Sequence, residues 1–325
     1  MRRNEKKFLN QSKDVTITVM KKHNLLLLIS CLTGSFTCQA QTRINKLPFP
    51  SELVDFVPYK GNPVFKGTGN PADWDEKIRE RGFVMHEGNE YFMWYCGYDK
   101  KTDKEMKYLG YATSKDGFKW TRYPGNPIYK KHWIEDMHVV KSGQTYYMFA
   151  ESKDDIPRMY TSTDRLNWTD HGKLDIRRKT DGQPISEGPY GTPTVIKKGK
   201  TWYLFYERND LAVWLATSED LKIWVHVQDE PVLELGPDNY DKFAVAFNQI
   251  IEKNGVYYAY YHASAFKDWH EWSTNVAASK DLIHWEKYSK NPIIGDNTSS
   301  GVPVPVAKGY RMYTMHPEVK VFLPK

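Results

Sequence analysis

Aromatic and aliphatic residues gather in five short runs, each opened by a glycine. They read GNEYFMWYCG at Gly88, GQTYYMFAES at Gly143, GKTWYLFYER at Gly199, GVYYAYYHAS at Gly255 and GYRMYTMH at Gly309. The glycines stand 55, 56, 56 and 54 residues apart. A period near 55 marks one supersecondary unit repeated along the chain. The glycine opens a turn, and the nearly continuous apolar run behind it predicts a strand covered on both faces. Four of the five strands are followed by Ser-x-Asp-x-x-x-Trp, at Ser114 to Trp120, Ser162 to Trp168, Ser218 to Trp224 and Ser279 to Trp285. Ser-x-Asp turns the chain, and the tryptophan returns it to a packed face. Repeated radially, this grammar predicts an all-β, five-bladed β-propeller.

Connectors follow the same period. Asn62-Pro63, Asn126-Pro127 and Asn291-Pro292, with Glu230-Pro231 in the equivalent place, mark passages between blades, because proline ends strand pairing. The fifth repeat is short, with only sixteen residues after Gly309. A strand at Leu53 to Val57 is therefore expected to complete the last blade and close the ring, leaving no exposed edge. No amphipathic helix of twelve or more residues is expected after residue 41. The predicted organisation is a leader over 1–40, an N-terminal segment with the closing strand over 41–60, and the propeller over 61–325.

Composition changes the picture mainly at the front. Met20-Lys21-Lys22-His23, an apolar run from Leu25 to Phe36 and Cys38-Gln39-Ala40 form a secretory signal peptide, with residues 1–19 as an upstream extension. Leu28 to Cys31 (LISC) also fits a lipoprotein cleavage box, so anchoring through Cys31 is the alternative to periplasmic or secreted protein. Residues 1–40 carry +5 of the formal net charge of +6. The remainder is nearly neutral, with no basic stripe for nucleic acid and no segment for membrane insertion. Of three cysteines only Cys96 stays, so no internal disulfide is expected.

Inner strands of a propeller line its channel, so polar groups ahead of each glycine are candidates for chemistry. Blade one offers Asp73, Asp75, Arg79 and Arg81; blade two Glu135, Asp136 and His138; blade three Glu187 before Gly188-Pro189; blade four Asp241, Asn248 and Gln249. Carboxylates converging on an aromatic-lined channel suit glycoside cleavage, which needs one carboxylic acid and one carboxylate. Arg79 and Arg81 would either bind an acidic sugar or neutralise the carboxylates. His262 and His316 end two of the aromatic strands, as core histidines or as contacts to substrate or a channel metal. No zinc or EF-hand spacing is present, so no cofactor is expected beyond a channel-bound calcium.

The five repeats, the Glu187-Gly188-Pro189 motif before TWYLFYE and the MWYCGY and GYATSKDGFKWTR strings resemble the five-bladed propeller glycoside hydrolases. Family 43 is nearest in look, with families 32, 117 and 130 as relatives, and the resemblance spans residues 45–325. It implies a general base at Asp75, a substrate-orienting and pKa-tuning carboxylate at Asp136 and a general acid at Glu187. Asp75 stands thirteen residues before Gly88, farther than the family pattern, which leaves Asp73 as a rival base. Candidate substrate contacts are Asp73, Trp74, Arg79, Arg81, His138, Tyr190, Asn248, His262 and His316. The implied activity is exo-acting, inverting hydrolysis of plant or algal oligosaccharide or polysaccharide, of xylosidase, arabinofuranosidase or galactosidase type. Alternatives are a family 130 type phosphorylase and a non-catalytic carbohydrate-binding propeller.

Overall fold

The computed structural model describes residues 46–101, 106–307 and 309–325. The expected signal peptide with its upstream extension, and the alternative anchoring at Cys31, lie outside the described residues. From Leu47 the chain forms one short helix, α1 (Ser51–Val54), and then strand β1 (Phe56–Pro58). Blade one is β2 (Lys77–Glu87), β3 (Glu90–Tyr98), β4 (Tyr108–Ser114) and β5 (Thr121–Arg122). Blade two is β6 (Glu135–Ser142), β7 (Thr145–Glu151), β8 (Pro157–Ser162) and β9 (Thr169–Lys173). Blade three follows a short β10 (Asp175–Arg177) with β11 (Gly191–Lys198), β12 (Thr201–Glu207), β13 (Ala212–Ser218) and β14 (Ile223–His226). A two-residue β15 (Leu233–Glu234) also pairs with β13. Blade four is β16 (Ala244–Lys253), β17 (Val256–Ser264), β18 (Ser273–Ser279) and β19 (Glu286–Lys287). Blade five is β20 (Val302–Pro305), β21 (Tyr310–Met315) and β22 (Val319–Pro324), completed by β1.

The first strands form the inner ring: β2 packs on β6, β6 on β11, β11 on β16, β16 on β20, and β20 on β2. Five sheets around one axis are the predicted propeller. Its repeat devices act locally as expected. All five recurring glycines have φ between 60° and 81°, a region only glycine enters without cost, and each turns a first strand into its second. In the Ser-x-Asp turns, Asp116, Asp164, Asp220 and Asp281 each accept main-chain N–H groups two and three residues on. The Asn-Pro connectors do more than stop a strand. Asn62, Asn126 and Asn291 each exchange two hydrogen bonds of 2.8–3.0 Å with one residue of a strand, Val321, Tyr111 and Val276. The side-chain amide there replaces a missing strand neighbour.

The ring closes through Phe56 to Pro58 paired antiparallel with Phe322 to Pro324. The closing strand is thus shorter than the expected Leu53 to Val57. Pro50 presets the turn that becomes α1, and Leu53 and Val54 bury their side chains against Tyr258, Tyr260 and Phe322 instead of entering the sheet. The Tyr260 hydroxyl fixes that helix by donating to the Leu53 carbonyl at 2.9 Å. Cys96 is a buried free thiol, pushed up by burial. Among the described residues no helix is long and apolar enough to cross a membrane.

Candidate active site

The inner strands carry an irregularity at one place. Pairing of first with second strand slips between Arg79 and Phe83, between Glu135 and His138, between Gly191 and Thr194, and between Phe247 and Gln249. The bulged residues are Glu80, Asp136, Thr192 and Asn248, spaced by 56 residues each time. Three of them have positive φ (59°, 44° and 43°), and Ser300 ahead of β20 has 60°. A bulge re-aims its side chain out of the strand's alternation. Here Glu80, Asp136, Thr192 and Ser300 all face one cavity of about 340 Å³ at the end of the ring.

Among the described residues seven carboxyl groups line that cavity: Glu80, Glu135, Asp136, Glu151, Asp155, Glu207 and Asp210. Glu151 and Glu207 end the second strands of blades two and three at the same distance from their turn glycines, and both are buried. Gly191 lets them converge: a Cβ there would lie 2.4 Å from Glu151 Oε1 and 2.9 Å from Glu207 Oε1. The Thr192 N–H donates to Glu151, and the Asp210 N–H to Glu207 at 2.5 Å. Arg79, His262 and His316 stand among them in the lining. Arg79 Nε meets Glu80 at 2.6 Å, and His316 Nδ1 lies 3.7 Å from the same carboxylate. His262 accepts from Asn248 Nδ2 at 2.9 Å and lies 3.9 Å from Asp210. Trp269 and Trp272, from the loop between β17 and β18, form an aromatic rim with ring centroids 6.2 Å apart.

Surroundings divide these acids. Burial alone would raise Glu80, but Lys107 and Arg79 outweigh it and hold its carboxyl below the usual range. Burial, with the Glu80 charge added, pushes Asp136 up to about 6. Burial pushes Glu207 up to about 8 and Glu151 well above the ordinary range. Lys107, buried behind the wall, contacts Glu135 and lies 3.5 Å from Glu80; those two carboxylates keep its proton despite burial. Glu135, Glu151 and Asp155 bring oxygens within 4.8 Å of one another, a spacing a cation would fit. Lys107 and the Thr192 amide already hold two of the three, and we assign that trio no ligand role.

The expected site residues fall into two groups. Glu135, Asp136, Arg79, His262 and His316 line the cavity. The others lie elsewhere. Asp75 is buried beside the outer strands of blade one, accepting from Tyr95 Oη at 3.0 Å and from Arg122 Nε at 2.8 Å. It fastens the entering loop to β3 and β5, which is a structural task. Its rival Asp73 sits on that loop and accepts from Asn70, while Trp74 stacks on Tyr95. Glu187 is exposed on the approach to β11, and only its neighbour Pro189 reaches the cavity wall. Tyr190 packs edge-on against Tyr206 within blade three. Arg81, His138 and Asn248 are buried: His138 pairs with Gln249 at 2.6 Å on the far side of the ring, where burial pushes it down to about 3. Asp241 is buried against Lys287 at 2.5 Å. The residues missed are Glu80, Glu151, Asp155, Glu207, Asp210 and the two tryptophans. A constant offset of seven or eight residues before each glycine picks out Glu80 and Asp136, and eight after it Glu151 and Glu207.

Residues 31–190 match the family profile of the glycosyl hydrolases family 32 N-terminal domain. A 1,2-beta-oligomannan phosphorylase of Thermoanaerobacter sp. (strain X514) is 27% identical over 178 residues, covering 50% of this chain and 55% of that protein. The chain thus spans about half the length of that curated relative. A glycosyl hydrolase from Bacteroides ovatus superposes with a TM-score of 0.65 at 15% identity, over 85% of this chain and 95% of that one. A beta-1,2-mannobiose phosphorylase from Listeria innocua gives 0.60 at 16%, over 82% and 95%. The chain thus shares the five-bladed propeller fold of these solved structures. Its resemblance to the propeller glycoside hydrolases rests on sequence profile and fold together.

Proposed function

We propose that the chain hydrolyses a glycosidic bond at the end of an oligosaccharide, with Asp136 protonating the leaving oxygen and Glu80 activating water. The observation that carries this reading is one cavity in which neighbouring bulges present two carboxylates of opposite tendency. Asp136 holds its proton to about 6, and Glu80 is kept ionised by Arg79 and Lys107. Acid and base roles follow from environments that push two carboxyls apart. A cavity of about 340 Å³ takes a chain end rather than a length of polysaccharide, which supports exo action. The tryptophan rim offers flat faces to sugar rings. The sugar to try first is a β-mannoside, because the similar phosphorylases are described as acting on β-1,2-linked mannose. Plant and algal xylosides, arabinofuranosides and galactosides belong to the same panel. The leader read at residues 20–40 puts the action outside the cytoplasm, which N-terminal sequencing of protein from its host would test.

Phosphorolysis is the second reading, favoured by the oligomannan phosphorylase relative. The lining speaks for water: its acids outnumber its cations, Glu80 is held ionised, and Arg79 is already engaged by Glu80 at 2.6 Å. Incubation with β-1,2-mannobiose and the panel, with and without inorganic phosphate, separates the two. Free sugar at equal rates in both is expected. Sugar 1-phosphate, formed only with phosphate, would sink the hydrolytic reading. Proton NMR of the first-formed anomer tests inversion, which requires room for water between acid and base.

A further inference from the structure

A bulge frees main-chain groups from the ladder, and buried carbonyls need partners. One side chain collects those of the inner ring. Arg81, next to the blade-one bulge, is fully buried. Its guanidinium donates to the carbonyls of Asp136 (2.5 Å), Pro193 (2.7 Å), Phe247 (2.9 Å) and Asn248 (3.3 Å), and to Thr194 Oγ1 (3.0 Å). Thr194 Oγ1 passes a bond of 2.8 Å on to the Phe247 carbonyl. The Arg81 main-chain N–H donates to Asp136 Oδ1 at 3.1 Å. A blade-one residue thus grips the bulges of blades two, three and four, and grips Asp136 by carbonyl and carboxylate together.

We propose that Arg81 is a positioning residue for the reaction, holding Asp136 in the left-handed backbone conformation from which its carboxyl faces the cavity. This rests on the role given to Asp136 above. Full burial keeps Arg81 away from any sugar, so it acts through Asp136 and is not itself catalytic. Only arginine suits the place: its planar fork reaches acceptors on several blades at once, whereas a lysine ammonium offers three donors from one point. An aspartate at φ 44° is strained enough that the surroundings must hold it there.

Arg81→Lys keeps the charge and loses the fork. Its kcat is expected to fall on the order of 10- to 100-fold on glycosides with poor leaving groups, and less on activated aryl glycosides, with KM nearly unchanged. That is the pattern of Asp136→Asn, assayed in parallel. Thr194→Val, a milder cut in the same network, should show it in smaller measure. Equal losses on both substrate types, or a kcat within about twofold of wild type, would overturn the proposal. The crystal structure of Arg81→Lys decides it without turnover: Asp136 should leave φ near 44° or swing its carboxyl, and an unmoved Asp136 refutes the positioning role. A wild-type chain that cleaves no glycoside would remove the functional reading instead, while the structural arm still judges Arg81.

Discussion

Asp136 and Glu80 occupy the same bulge in neighbouring blades, and what surrounds each carboxyl underlies the role proposed for it. Lys107 and Arg79 ionise Glu80; Asp136 is half-buried and feels that charge. A proton donor works only while protonated, so kcat/KM should fall tenfold per pH unit above about 6, the limb belonging to Asp136. Asp136→Asn should lose about 10²–10⁴-fold on poor leaving groups and much less on activated ones, which need little protonation. Glu80→Gln should lose heavily on both. Two residues outside the cavity supply the contrast. Glu187→Gln, at an exposed position, should leave kcat within about twofold and stability within about 0.5 kcal/mol. Asp75→Asn weakens the hold on Arg122, itself about one-third exposed, and should cost about 1–2 kcal/mol while sparing kcat. A collapse of kcat in either variant with the fold intact would return those residues to the site.

At the scale of strands and loops, the sequence was readable wherever a device repeats as a residue type. Turn glycines, Ser-x-Asp turns and Asn-Pro connectors recur because each geometry admits few side chains, and together they disclosed five blades and a closing strand. The bulge recurs as geometry alone. Glu80, Asp136, Thr192 and Asn248 share a position but no common residue type, so no motif announces them. The acids sought at Asp75 and Glu187 were therefore displaced by five residues from that register, and only Asp136 coincided with it. Glu151 and Glu207 were hidden at the ends of aromatic runs that read as core, and α1 by a burial pattern that also suits a strand. Two elements invite direct tests. Removing residues 46–58 takes away β1 and α1 and exposes two edges, so a large drop in Tm with self-association is expected by thermal unfolding and light scattering. Trp269→Ala, on the rim loop, should raise KM for oligosaccharides several-fold and leave aryl monoglycosides unaffected; an equal rise for both would take the rim out of binding.

Among its described residues the molecule gathers seven carboxyl groups at one end of its ring, and so acidic a cavity strains the fold that contains it. Glu207 shows the sign of that strain. Its carboxyl is pushed up to about 8 by burial, against 4.5 for an ordinary glutamate. Between those values the native state binds a proton that the unfolded state has released. Stability from this group is therefore fully present below about 4.5 and lost as pH rises through about 8. Glu207→Gln cannot ionise, and its amide oxygen can still accept the Asp210 N–H. The variant should match wild-type Tm near pH 4.5 and exceed it by a growing margin, a few degrees by pH 8, while its activity falls because the residue lines the cavity. Thermal unfolding of both proteins across that range reads the difference directly, with effects common to all other carboxylates cancelling. A variant no more stable than wild type at pH 8 would mean that Glu207 is relieved of its buried charge by some other group, and the cavity's acids would then have to be reckoned as compensated rather than strained.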